Sequence, residues 1–171
     1  MKKSLLILLI GLCCLSSWAQ SNIVRTVPFV TNYSITYFPK DAGVVIDIPN
    51  YKSKLKLPKS LSFNEVQKWD IERLLEKYFS YSRALEENEM KFFSKSLGSI
   101  PEPHDGLKWA TGLNATVYVS QEGKALLVLE SKSKPMESTD VIVLDWDEVR
   151  HVVEFIKMIP DMKKEAERAA K

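Results

Sequence analysis

Two stretches of this chain carry the same structural signals in the same order, and that constrains its fold more than any single residue does. In the first, Tyr33 to Phe38 and Val44 to Ile48 are rich in aromatic and β-branched residues and flank the turn chemistry of Pro39-Lys40-Asp41-Ala42-Gly43. This is a hairpin pattern. Lys54-Leu55-Lys56-Leu57 alternates as a half-buried strand does. Ser62-Phe63-Asn64-Glu65 then reads as a reciprocal capping box opening a helix, with Leu61 and Val66 as its hydrophobic staple. In the second stretch, Ala115 to Ser120 and Ala125 to Glu130 flank a turn at Gln121-Glu122-Gly123-Lys124. Val141 to Leu144 is a short apolar strand, and Asp145-Trp146-Asp147-Glu148 is a second capping box, stapled by Leu144 and Val149. The hairpins lie 82 positions apart (Val44 and Leu126) and the helix starts 83 (Leu61 and Leu144). Matching order, hairpin spacing and helix-start chemistry point to an internal duplication. The alternative is convergence, since unrelated helix starts share this capping grammar.

Each half has one helix and too few strands to bury a core alone, so the halves are expected to share one about a pseudo-two-fold axis, as homodimers do. The fold class is therefore α+β: two related β-hairpin–strand–helix halves forming mainly antiparallel sheet, packed with one long and one shorter helix. The first half has an additional leading strand, Ile23 to Val30, interrupted by Pro28 as an edge strand tolerates. Its third strand is expected to end at Leu57, with Pro58 before the helix. No Gly or Pro occurs from Leu61 to Leu97, which implies a long helix with the stripe Ile71, Leu74, Tyr78, Tyr81 and Leu85 and a stop at Gly98. The last helix carries Val149, Val152, Val153, Ile156 and Ile159. Pro160 should kink or end it, leaving a charged, frayed tail from Asp161. Residues 20–98 thus form the first half, 99–113 a linker loop with Pro101, Pro103, Gly106 and Gly112, and 114–171 the second half with its tail.

This element order resembles the strands-then-helix unit of the single-stranded-DNA-binding transcriptional coactivator fold, which dimerises. The resemblance is one of topology, covers most of the chain loosely, and brings none of that family's sequence motifs. It implies a paired-unit sheet fold and, as a ligand class, single-stranded nucleic acid.

Residues 1–19 read as a cleavable signal peptide. Lys2 and Lys3 form a positive start, Leu5 to Leu15 an apolar run too short to span a bilayer, and Ser17-Trp18-Ala19 a small-residue cleavage site before Gln20. The destination is periplasmic or extracellular. Lipidation at Cys13 or Cys14 is the lesser alternative: that cleavage wants a small residue just before the Cys, and here Leu12 precedes Cys13 and Cys13 precedes Cys14. Both cysteines of the chain lie in this segment, so no disulfide can staple the mature protein and its stability must come from a hydrophobic core. Without Lys2 and Lys3, the 24 Lys+Arg fall to 22 against 22 Asp+Glu. That neutral balance offers no bulk attraction to nucleic acid or anionic lipid. No second long apolar segment appears, so no membrane span is expected after cleavage.

No catalytic, metal or cofactor motif stands out. The two histidines, His104 and His151, lack ligand spacing, and no Gly-x-Ser-x-Gly elbow occurs. A small hydrolase using Asp/Glu with either His is the runner-up function. Asp145, Asp147 and Glu148 belong in a first helical turn, where they meet the positive end of the dipole. Asn114-Ala115-Thr116 is a sequon, expected to be unused behind a bacterial signal. Lys52, Lys54 and Lys56 share a strand face and are candidates for an anionic ligand, beside the edge-protecting role usual for strand lysines. One helical stripe cannot bury Trp69, Tyr78, Phe79, Tyr81, Phe92 and Phe93 together. Phe79, Phe92 and Phe93 are therefore candidate interface residues, and Trp109 a candidate to line a cleft in the central loop. The leading expectation is an exported, non-enzymatic binding or interaction protein of the bacterial cell envelope. Its partner would be a protein or an envelope ligand, and homodimerisation is compatible with the fold.

Overall fold

The computed structural model describes residues 22–26, 33–49, 59–102, 112–132 and 139–170. Among these residues the chain runs β1 (Ile23–Thr26), β2 (Ser34–Phe38), β3 (Gly43–Ile48), β4 (Lys59–Asn64), α1 (Glu65–Glu87), then β5 (Phe93–Ile100), β6 (Leu113–Val119), β7 (Ala125–Lys132), β8 (Thr139–Leu144) and α2 (Trp146–Ala169). The strands form two antiparallel sheets, ordered β1-β2-β3-β4 and β5-β6-β7-β8. The α+β class with two related halves is thus as the sequence implied.

Both hairpins lie where turn chemistry placed them. In the first, the Asp41 amide donates to the Phe38 carbonyl at 3.2 Å. In the second, the Gly123 amide donates to the Ser120 carbonyl at 3.1 Å, and Gly123 takes the left-handed conformation, φ +79°, that its lack of a Cβ permits. Strand alternation then turns Ile35, Tyr37, Val44, Ile46, Leu61 and Phe63 inward in the first sheet. Ala115, Val117, Leu127, Leu129, Ile142 and Leu144 turn inward in the second.

Three expectations are corrected. First, α1 is capped by Asn64, whose side chain accepts from the Gln67 amide at 2.9 Å while the Gln67 side chain accepts from the Asn64 amide at 3.2 Å. The box is not Ser62 with Glu65, and Leu61 and Val66 form no staple, since Val66 is 79% exposed. Strand pairing overrides the local pattern: β4 continues opposite β3 from Ile48↔Lys59 to Gly43↔Asn64, which buries Leu61 and Phe63. The strand expected at Lys54 to Leu57 lies outside the described residues. The observed third strand follows Pro58 and runs straight into the helix, as β8 runs into the cap at Asp145, whose box with Glu148 formed as expected.

Second, α1 ends at Glu87 instead of continuing to Leu97. Glu89 (φ +50°) closes it, with the Met90 amide donating to the Leu85 carbonyl at 3.0 Å and the Glu89 amide to the Glu86 carbonyl at 3.1 Å. This is a Schellman-type stop without glycine. Phe93–Ile100 is a strand paired with β6, and Gly98 marks its bulge rather than a helix end. Among the described residues each half therefore has four strands before its helix, and the second sheet begins at Phe93.

Third, α2 passes through Pro160 and continues to Ala169. Pro160 removes one backbone donor, but Met162 and Ala166 beyond it are buried and hold the last turns on the protein. The residues read as a frayed tail are a packed helix end.

The helices of the two similar halves match at an offset that differs from the 82 and 83 of the sequence signals. The caps Asn64 and Asp145 stand 81 positions apart. Ile71, Leu74, Leu75, Tyr78 and Leu85 are buried, and so are Val152, Phe155, Ile156, Ile159 and Ala166, each 81 residues further on.

The helices are exchanged between the halves. α1 packs on β5, β6 and β7 of the second sheet and meets the first at β4. α2 packs on β1, β2 and β3 of the first sheet and meets the second at β7 and β8. On α1, the buried Tyr78 hydroxyl donates to the Ala125 carbonyl at 2.9 Å, the Lys77 ammonium to the Leu97 carbonyl at 3.0 Å, and the Gln67 side-chain amide to the Pro101 carbonyl at 3.0 Å. On α2, Glu165 pairs with Arg25, and Lys163 reaches Glu65 at 2.7 Å. At the centre, Lys59 of β4 donates to the Val143 carbonyl of β8 at 2.6 Å and sits 3.6 Å from Glu148. One contiguous core results, with residues from both halves.

Candidate interaction surfaces

Because the inner faces meet the helices, each sheet turns its alternate residues outward, and the matching strand order of the two sheets allows the two outer faces to be compared. On the first, the rows are Val24, Thr36, Val45, Ser62 and Ser34, Asp47, Ser60, with the half-buried Phe38 on the same side at the end of β2. Asp47 accepts from the Ser60 hydroxyl at 2.6 Å and from the Ser34 hydroxyl at 3.5 Å, a polar group satisfied within itself. On the second, Tyr118 stands opposite Leu126, Val128 lies between Thr116 and Val143, and Val141 faces Glu130. Tyr118, Val141 and Val143 are exposed, Val141 at 52%, and Leu126 and Val128 half-buried. Five apolar side chains on three adjacent strands thus face outward.

The expected interface aromatics separate. Phe79 is half-buried, its ring 4.6 Å edge-on to Trp146 and 5.6 Å from Tyr78, so it joins α1 to the start of α2. Phe93 packs against the core. Phe92 is 69% exposed and holds φ +50°. Tyr81 is half-buried beneath the Lys95 ammonium, 4.3 Å from its ring centroid. Trp109, Lys52, Lys54, Lys56 and His104 lie outside the described residues. Sequence reasoning missed Trp69 as an exposed aromatic: it is 74% exposed beside Val66, with Lys68 5.0 Å from its ring centroid. It missed the outer second sheet too, although the doublets Leu126 and Val128 and Val141 and Val143 break strict apolar–polar alternation and are a readable signal of a strand apolar on both faces.

Among the described residues, concavities with lining residues capable of chemistry include two at the first half and α2. A cleft of ≈ 190 Å³ is lined by Tyr37, Pro39, Ala42, Glu65, Lys163, Ala166 and Glu167. There the Tyr37 hydroxyl and the Lys163 ammonium each donate to Glu65 at 2.7 Å. Burial pushes the Glu65 carboxyl up, but the hydrogen bonds from Lys163 and Tyr37 outweigh it and hold the group below the usual carboxylate range. Burial and then Glu65 push Tyr37 well above an ordinary phenol, and Glu65 raises Lys163. All three groups are fixed in the protonation states of a structural ion pair, with no base poised near neutrality. A second, open concavity is lined by Arg25, Glu154, Lys157, Met158, Asp161 and Met162. Neither contains His151, which lies 3.4 Å from Glu154 on its own helix and 5.3 Å from the Tyr33 ring. In the acidic cluster, Asp145 and Glu148 are occupied by the cap and Asp147 lies 3.5 Å from Arg150. Among the described residues no group of three or more His, Cys, Asp or Glu side chains could hold a metal ion, and no helix is long and apolar enough to cross a membrane.

Comparison with protein-family models, curated proteins and solved structures finds no match to this chain.

Proposed function

We propose that this is an exported, non-enzymatic binding protein of the bacterial cell envelope that engages a short apolar segment of another exported polypeptide across the outer face of its second sheet. The carrying observation is the contrast between equivalent surfaces. Two sheets of one topology occupy equivalent places, yet one outer face sets Val24, Val45 and Phe38 among Ser, Thr and Asp, whereas the other groups Tyr118, Leu126, Val128, Val141 and Val143 on three adjacent strands. A cluster of apolar outward residues that the equivalent sheet does not repeat is not a requirement of the fold, and that difference supports a role in binding.

Its size selects the occupant. With strands ~4.8 Å apart and same-face residues ~7 Å apart, three strands by three rows cover on the order of 200 Å². A stable dimer needs about 800 Å² per partner, so the patch suits one apolar segment held weakly. The polypeptide reading accords with the neutral balance of charge, which gives nucleic acid no bulk attraction.

The test uses a short uncharged Leu/Val-rich peptide bearing a fluorophore, titrated with the chain from Gln20 onward and followed by anisotropy. Saturable binding is expected, weakened about tenfold or more, equivalent to roughly 1.4 kcal/mol, by the pair Tyr118→Lys and Val141→Lys. The pair Thr36→Lys and Ser62→Lys on the first sheet should leave it unchanged. An absence of saturable binding, or equal weakening by both pairs, would remove the second sheet from this role.

A further inference from the structure

The exchanged helices have a consequence for association with a second copy. Every contact that covers one half's sheet with the other half's helix joins residues before Asn88 to residues after Phe92. Within one chain these contacts are intramolecular, but the same contacts form equally well between two chains. The segment joining the halves is short: α1 ends at Glu87 and β5 begins at Phe93. Two of the three non-glycine residues with positive φ among the described residues fall within or beside it, Glu89 and Phe92, both at +50°. For Glu89 the conformation closes the helix through the Leu85 and Glu86 carbonyls. For Phe92 the left-handed backbone is unfavourable for a bulky side chain, and a ring 69% exposed recovers little by burial. Extended, five residues reach about 17 Å, enough to leave one globular unit and enter another.

We infer that this chain forms a closed, half-exchanged dimer, in which α1 of each copy covers the second sheet of the other and Asn88 to Phe92 is the hinge. Interfaces inside each unit are the same as in the monomer, so the balance is set by the hinge and by concentration. The backbone strain at Phe92 favours opening, and a shortened hinge favours it further. This inference is independent of the outer sheet face, which stays exposed in both forms.

The test uses the chain from Gln20 onward, refolded at high and low protein concentration and analysed by size-exclusion chromatography with light scattering. Dimer is expected at high concentration. Copies labelled separately with donor and acceptor fluorophores should form mixed dimers when refolded together, and none when mixed already folded. Deleting Met90 and Lys91 should shift the population to dimer at all concentrations, and Phe92→Gly should shift it to monomer. Complementation separates exchange from surface association: Tyr78→Asp in one chain and Phe155→Asp in another each spoil one half. Refolded together, these chains should regain up to half the native circular dichroism signal, because one exchanged unit then contains two intact halves. A strictly monomeric wild type at all refolding concentrations, or a mixture that regains nothing, would overturn the inference.

Discussion

Removing residues 161–171 is the sharpest test of the exchanged architecture, because this charged segment reads as dispensable and the structure makes it a wall of the other half's core. The deletion takes away Met162, 1% exposed, and Ala166. It also removes the pairs Lys163–Glu65 and Glu165–Arg25. Burying a methionine is worth roughly 1.5–3 kcal/mol and an alanine methyl about 0.8. The partly exposed ion pairs together add up to about 1 kcal/mol. The loss should therefore total about 2–5 kcal/mol, a large share of the roughly 5–15 kcal/mol that holds a domain. Urea unfolding followed by far-ultraviolet circular dichroism would show the midpoint falling steeply. Met162→Ala alone should cost about 2–5 kcal/mol, whereas Lys164→Ala, on the exposed side, should stay within about 0.5 kcal/mol of wild type. A deletion variant with an unchanged midpoint would mean that α2 beyond Pro160 does not cover the first sheet.

Other measurements probe the same contacts. Asn64→Ala should destabilise by about 1 kcal/mol as a lost cap, and Ser62→Ala by under about 0.5 kcal/mol; the reverse order in thermal melts would return the helix start to Ser62. Tyr78→Phe removes the bond to the Ala125 carbonyl and should cost about 1 kcal/mol or somewhat more, read as a lower urea midpoint at constant slope. The Glu65 carboxyl is held below its ordinary 4.5, so its contribution is complete above that pH and is lost as pH falls through the folded value. Lys163 and Tyr37 are raised above 10.5 and 10.0, so theirs is complete below those values and is lost as pH rises further. Glu65→Gln should flatten the acid limb of a stability–pH curve by up to about 1 kcal/mol; an acid limb identical to wild type would exclude this triad as its source.

The candidate surface was legible only in part. Helix α1 plainly carries more aromatics than one stripe can bury, but the ones left out could not be named from spacing. Phe79 found Trp146 from the other half, Phe93 became a strand residue, and Trp69 stayed in solvent. Each outcome depends on which sheet the helix covers, and that is a long-range property. The doublets on β7 and β8 are visible in the residue order, yet nothing local distinguishes an apolar outward residue from one covered by a helix.

What the amino-acid order determined by itself is whatever a few neighbouring residues can settle. The turns at Asp41 and Gly123, the alternation that turns one side of each strand inward, the Asp145 cap and the twofold recurrence of these signals are all local physics. What only the tertiary structure decided is where local signals conflict. Ser62-x-x-Glu65 is a valid capping box until β4 pairs with β3, Asn88 to Leu97 is an acceptable helix until β6 offers Phe93–Ile100 a partner, and Pro160 ends a helix unless both sides of it are buried. In each case a local preference of about 1–3 kcal/mol was set against pairing and burial summed over many residues distant in the chain, and the larger sum prevailed.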